Sequence, residues 1–212
     1  MRTAPKLEDL HPWLRWRVNE LSVCHRSTAP DTTLCLIWGH RSVAEQHSAY
    51  KAGRSKLDGV KKFSLHNYKP SLAADLWVYT NADCCDPALY ENRPPKSEGM
   101  SLQLLQKGSL KRWYIPLGKL ASDIGMEAGA LWRTFRDGPH VQVPKHQRMV
   151  LVQDALKAKG FDVGPCDGII GPRTRSAIMA AQQKSGLVGR FKSSLMPVDP
   201  DLWAWLHKDG EA

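Results

Sequence analysis

Two histidines and two aspartates, set far apart along 212 residues, place the strongest constraint on what this chain can fold into. His66 follows Ser64-Leu65, Asp75 follows Ala73-Ala74 nine positions later, and Asp137-Gly138-Pro139-His140 begins 62 positions after Asp75. Together they supply two imidazoles, a carboxylate ligand and a spare carboxylate. These are the donor types of a hydrolytic zinc site, in which three protein ligands leave one position to water. That chemistry requires a fold that carries three distant stretches to one point. His66, Asp75 and His140 are the candidate ligands, and Asp137, three residues from one of them, is the candidate base.

The surrounding sequence places these stretches on recognisable elements. Leu10, Leu14, Val18 and Leu21 recur at helical spacing around Pro12, which suits a first turn, and Trp13 and Trp16 read as packing residues. Leu34-Cys35-Leu36-Ile37-Trp38 reads as a buried strand. Ser42 and Glu45 form a capping-box pattern for a helix running to about Ala52 and stopping at Gly53, with Arg41 at the strand-to-helix junction. A guanidinium there can stabilise charge on an attacked carbonyl or hold a substrate carboxylate. Ala73 to Tyr79 reads as a strand with Asp75, Trp77 and Tyr79 on one face.

Farther on, Asn81 to Met100 reads as a loop, and Pro116 to Gly125 as a helix with Leu117, Leu120 and Ile124 on one side. Ala130-Leu131-Trp132 and His140 to Val143 read as strands flanking the Asp137 turn. The fold class expected is α+β, with an antiparallel sheet carrying the ligands and helices on one face.

The run from Ser64 to Asp75, preceded by Gly39-His40-Arg41-Ser42 with Glu45-Gln46 and followed by Trp132 and Asp137-Gly138-Pro139-His140, resembles the zinc peptidases of the VanY-like superfamily. Within it, the likeness is to phage L-alanyl-D-glutamate endopeptidases, the endolysins. In that family Ser-x-His and a downstream Asp give two zinc ligands, and an Asp- or Glu-x-x-His motif gives the base and the third. Here the spacing takes the longer His-Asn-x-x-Pro-Ser-x-Ala-x-Asp form. The resemblance implies zinc on His66, Asp75 and His140, catalysis by Asp137 aided by Arg41, and substrate contacts from Ser64, Gln46 and Trp132.

Beyond Gln147 the sequence changes character. Val150 to Leu156, Gly160, Gly164, Asp167-Gly168-Ile169-Ile170-Gly171-Pro172, Thr174, Ala177-Ile178, Gln182 and Gly186-Leu187 resemble the three-helix peptidoglycan-binding domain of wall hydrolases. Gly160 suits a helix C-cap and Gly171-Pro172 a helix start, and a third helix is expected from Asp199-Pro200 with Leu202, Trp203 and Leu206 packed inward. The domains expected are a zinc peptidase at 1–143 and a small three-helix wall-binding domain at 148–212. Joining the two raises the local concentration of substrate.

Charge and cysteine content bear on partners. The net charge is +9, and Met1 to Gln147 holds 21 Lys and Arg against 14 Asp and Glu. A basic surface is drawn to polyanions such as the bacterial envelope. Lys61-Lys62 and Lys111-Arg112 are only dipeptides, so nucleic acid is not expected as a partner. No apolar run approaches the roughly 20 residues of a bilayer helix, and Met1 to Lys6 leads into no apolar signal region, so stable membrane insertion is not expected. Five cysteines without a paired C-x-x-C read as reduced thiols. The expectation is a monomer that stays in the host cytoplasm until a holin-type partner releases it to the wall, where it cuts the L-Ala–D-Glu amide of the stem peptide. The alternatives are a D-alanyl-D-alanine carboxypeptidase with the same zinc site and a non-catalytic peptidoglycan-binding protein.

Overall fold

The computed structural model describes residues 5–80, 112–187 and 195–208, so the loop expected at Asn81–Met100 lies outside the described residues. The chain divides into two compact units, one formed by Met1–Gly39 with Ala73–Gln142 and the other by His40–Leu72 with Val143–Ala212. Six α-helices and a four-stranded antiparallel sheet are present among the described residues, an α+β fold as expected.

The first unit is built around the sheet. Helix α1 (Pro12–Thr28) starts with Pro12 in its first turn and buries Leu14, Val18, Leu21 and His25, one per turn or so of the helix. Trp16 departs from its expected packing role: it is 58% exposed, with the Arg17 guanidinium 4.4 Å from its ring centroid. Strand β1 (Thr32–Trp38) pairs with β2 (Ala73–Thr80), β2 with β4 (His140–Gln142), and β4 with β3 (Glu127–Ala128), giving the order β1-β2-β4-β3. The β1–β2 register shifts between Leu36 and Trp38, opposite Leu76 and Asp75, an irregularity of the kind that re-aims side chains beside functional sites.

Besides Trp16, three expectations need correction in this unit. Ala130–Trp132 is not a strand. Gly129–Leu131 forms a 3-10 turn, and the fourth strand is Glu127–Ala128, because Gly129 lets the chain fold tightly under the Asp137 turn. Helix α3 (Ile115–Asp123) buries Leu117, Gly118 and Ala121, while Leu120 and Ile124 are only half-buried: small residues let the backbone approach, so the inward face is rotated from the one that large apolar residues alone suggest. Cys35 is disulfide-bonded rather than a free thiol, whereas Cys24 and Cys166 are free. Odd cysteine number and spacing do not reveal which thiols a fold brings together.

The second unit joins a short helical stretch to the C-terminal helices. Helix α2 (Val43–Lys51) carries the expected capping box, with Ser42 accepting from the Glu45 N–H at 3.3 Å and Glu45 accepting from the Ser42 N–H at 2.8 Å. Gly53 follows with φ +69°, a left-handed turn that suits glycine. Helices α4 (Lys145–Ala158), α5 (Pro172–Ser185) and α6 (Pro200–Leu206) pack on one another. Pro172 sits in the first turn of α5, and Asp199 caps α6 through the Leu202 N–H at 2.7 Å, both as the sequence predicts.

Gln153 ties this unit internally. It is fully buried; its Oε1 accepts from the Gly168 N–H at 2.7 Å, and its Nε2 lies 3.1–3.3 Å from the carbonyls of Pro165 and Ile169, Asp167 Oδ1 and Thr174 Oγ1. The side chain thus organises the irregular segment between α4 and α5. Tyr68 and Trp203, both fully buried, meet edge-on with ring centroids 6.3 Å apart. The Tyr68 hydroxyl donates to the Val198 carbonyl at 3.1 Å, and the Trp203 indole N–H donates to the Pro70 carbonyl at 2.9 Å.

Candidate metal centre

The antiparallel register sets the core of the site. Asp75 on β2 stands directly opposite His140 on β4, and His140 Nδ1 lies 3.1 Å from Asp75 Oδ1. Both side chains are largely withdrawn from solvent, 9% exposed for His140 and 14% for Asp75. One potential donor atom from each of His66, Asp75 and His140 lies within 4.8 Å of the others. Convergence of two imidazoles and a carboxylate fits the preference of zinc for nitrogen and carboxylate ligands. The three groups named from the sequence are therefore brought together.

His66 sits in a one-turn 3-10 helix, Leu65–Asn67, whose shape is set by its own polar side chains. The Ser64 hydroxyl accepts from the His66 N–H at 3.3 Å, and Asn67 Oδ1 accepts from the Ser64 N–H at 2.9 Å. The Asn67 amide also donates to the Arg41 carbonyl at 2.8 Å, while the Arg41 N–H donates to the His66 carbonyl at 2.7 Å. Ser64 and Arg41 thus define the backbone around His66, and Ser64, only 7% exposed, is a cap. Arg41 Nη1 donates to Gln46 Oε1 at 3.1 Å, and the Gln46 amide donates to Ser55 and Leu57 at 2.7 and 2.8 Å. Fully buried, Gln46 holds the junction together rather than facing solvent.

Asp137 is placed by a tight turn. Its N–H donates to the Gly129 carbonyl at 3.1 Å, and its own carbonyl accepts from the His140 N–H at 3.3 Å. A Cβ at Gly129 would collide with the Asp137 carbonyl and crowd His140 Cβ at 3.1 Å, so glycine is what permits this approach. The Trp132 ring lies 5.2 Å from the His140 ring.

Electrostatics follow from this crowding. Burial works against a charged His140, but the Asp75 carboxylate and, less strongly, the Asp137 charge outweigh it and hold the imidazole above its ordinary value. The Tyr114 hydroxyl, which accepts from the Val78 N–H at 3.4 Å, is pushed up to about 12 by burial, with Tyr79, Asp137 and Asp75 adding to the rise. It remains a neutral phenol across the physiological range. Sequence reasoning missed Tyr114 as well as Gln142 and Glu127. Gln142 Oε1 lies 2.9 Å from His140 Nε2, and the Gln142 amide donates to Glu127. Their only available signal was the two-residue offset of Gln142 from a candidate ligand.

Two comparisons with known proteins bear on this arrangement. Residues 145–188 match the model of a putative peptidoglycan binding domain. Over 148 residues, 68% of this chain and 78% of the relative, the sequence is 24% identical to the peptidoglycan L-alanyl-D-glutamate endopeptidase CwlK of Bacillus subtilis. The chain thus pairs a peptidoglycan-binding domain match with similarity to a peptidoglycan endopeptidase, which together support peptidoglycan hydrolysis or binding.

Proposed function

We propose that this chain is a zinc-dependent endolysin that hydrolyses the L-Ala–D-Glu amide of the peptidoglycan stem peptide, with a catalytic part at 1–143 and a wall-binding part at 148–212. The observation that carries the reading is the convergence of donor atoms from His66, Asp75 and His140 within 4.8 Å. The L-alanyl-D-glutamate endopeptidase activity in the name of the Bacillus subtilis relative supports the choice of bond, and the domain match at 145–188 supports the wall as the surface on which the enzyme works.

His66, Asp75 and His140 would hold the zinc. When bound, zinc supplies Lewis-acid polarisation of an amide carbonyl and acidifies water. Asp137, only half-buried, takes the proton of the attacking water and hands it to the leaving amine. Arg41 holds substrate carboxylate or charge on the carbonyl oxygen, and Trp132 provides an apolar wall beside His140. In this reading the protein acts as a monomer, without nucleic acid and without stable insertion in a membrane, and a holin-type partner releases it from the host cytoplasm to the wall. No helix among the described residues is long and apolar enough to cross a membrane.

The test is digestion of purified muropeptides with zinc supplied, followed by mass spectrometry of the products. A new amino-terminal D-glutamate is expected. Release of free D-alanine would instead identify a carboxypeptidase, and intact muropeptides would leave a binding protein.

A further inference from the structure

The sheet register places four polar side chains in a line. Asp75 of β2 faces His140 of β4, and Glu127 of β3 faces Gln142 of β4. His140 and Gln142, two residues apart, share one face of their strand. The line therefore runs Asp75, His140, Gln142, Glu127 across three adjacent strands, with His140 Nδ1 3.1 Å from Asp75, His140 Nε2 2.9 Å from Gln142 Oε1, and the Gln142 amide on Glu127.

Donor and acceptor chemistry gives this line a direction. A carboxylate only accepts, so Glu127 takes a hydrogen from the Gln142 amide nitrogen. That turns the Gln142 carbonyl oxygen toward His140. An amide oxygen also only accepts, so His140 Nε2 must carry a hydrogen. The other ring nitrogen, Nδ1, faces the Asp75 carboxylate at 3.1 Å, which also only accepts, so Nδ1 donates to it until a metal takes the place of that hydrogen. We propose that Glu127 and Gln142 are positioning residues that fix the ring of His140, with Nε2–H held by Gln142 and Nδ1 reserved for the metal.

This rests on the zinc reading for the identity of the ligand, while the ring orientation stands on hydrogen bonding alone. Partners of this kind on a ligating histidine commonly change metal affinity 10–100-fold when removed. With Gln142 only 9% exposed, water is poorly placed to substitute for it.

Two measurements on the full-length protein test the assignment. Long-range 1H–15N NMR of the metal-free wild type should show His140 Nε2 protonated; an unprotonated Nε2 would overturn it. Competition between the protein and a chromophoric chelator should show zinc affinity falling about 10–100-fold in Gln142→Leu and Glu127→Leu, with Glu127→Gln, which keeps an acceptor, close to wild type. Unchanged affinity in both leucine variants would overturn the positioning role. A wild type that takes up no zinc yet shows protonated Nε2 would sink the peptidase reading and leave the orientation standing. Variants whose unfolding curves show loss of structure are replaced by Gln142→Asn, which retains the amide but shortens its reach and should lower zinc affinity too; wild-type affinity there would count against the proposal.

Discussion

The Trp203 indole N–H donates to the Pro70 carbonyl at 2.9 Å, tying the last helix to the segment that carries His66. Tyr68 repeats the connection through its bond to Val198 and its edge-on contact with Trp203. Helix α6 lies beyond the 145–188 match to the peptidoglycan-binding domain, yet belongs to the same compact unit as residues 40–72. The His66 turn is thereby braced by residues more than a hundred positions away.

Trp203→Phe should keep most of the packing and lose the hydrogen bond, a cost of about 0.5–1.5 kcal/mol. Trp203→Ala, which empties a fully buried site, should cost about 3–5 kcal/mol. Denaturant unfolding measures both, and amide exchange at Leu65 to Leu72 should quicken in the alanine variant. Unchanged exchange there would show that the brace does not stabilise the turn.

Asp137→Ala should retain zinc and bind purified cell walls, yet lose muropeptide cleavage by about 10²–10⁴-fold, the range for removal of a general base. Elemental analysis, wall pull-down and product mass spectrometry together check it. Cleavage at the wild-type rate would remove Asp137 from the mechanism.

Gly129→Ala should destabilise the protein by about 1–3 kcal/mol, since the added methyl has to displace the Asp137 turn. The same displacement moves His140, so zinc affinity measured by chelator competition should fall with stability.

His25 gives a stability change with pH. Burial lowers its pKa from the ordinary 6.5, and its Nε2 lies 2.8 Å from the Thr32 hydroxyl, which itself donates to the Ala29 carbonyl at 2.9 Å. The folded state therefore favours the neutral ring, and the unfolded chain takes up the proton first as pH falls. Stability should decline as pH drops below about 6.5 and level off below the folded-state value. Thermal unfolding across that range should show a shallower decline in His25→Gln.

Gln153→Leu should leave the carbonyls of Pro165 and Ile169 and the Gly168 N–H short of a partner, costing about 1–3 kcal/mol or more. The loss should appear in unfolding curves and in weaker retention on purified peptidoglycan.

What the sequence made legible were features whose cause is local. The Ser42–Glu45 capping box, the Pro12 and Pro172 helix starts and the Asp199 cap each depend on residues a few positions apart, and each stands where expected. The three candidate ligands are legible through the motifs around them, Ser64-Leu65-His66, Ala73-Ala74-Asp75 and Asp137-Gly138-Pro139-His140, and the family resemblance those carry, since a His or Asp alone says little. Features decided by tertiary packing were not legible. The strand at Glu127–Ala128 has only two residues and exists through pairing with β4, leaving no run to read. The inward face of α3 is set by Gly118 and Ala121, whose smallness matters only once a neighbour is present. The Glu127–Gln142 pair and the Trp203–Pro70 bond join residues 15 and 133 positions apart, and neither leaves a mark in spacing or composition.

In the proposed metal site, the three-residue strand His140–Gln142 works as a ruler. It interposes Val141, which is buried, between the two polar side chains that share the ligand face. A slip of one residue in its pairing would send the imidazole and the amide to the opposite side and bring the valine to the ligand face. Insertions or deletions between Asp137 and Gln142 should therefore be far less tolerable than substitutions, however short the segment looks.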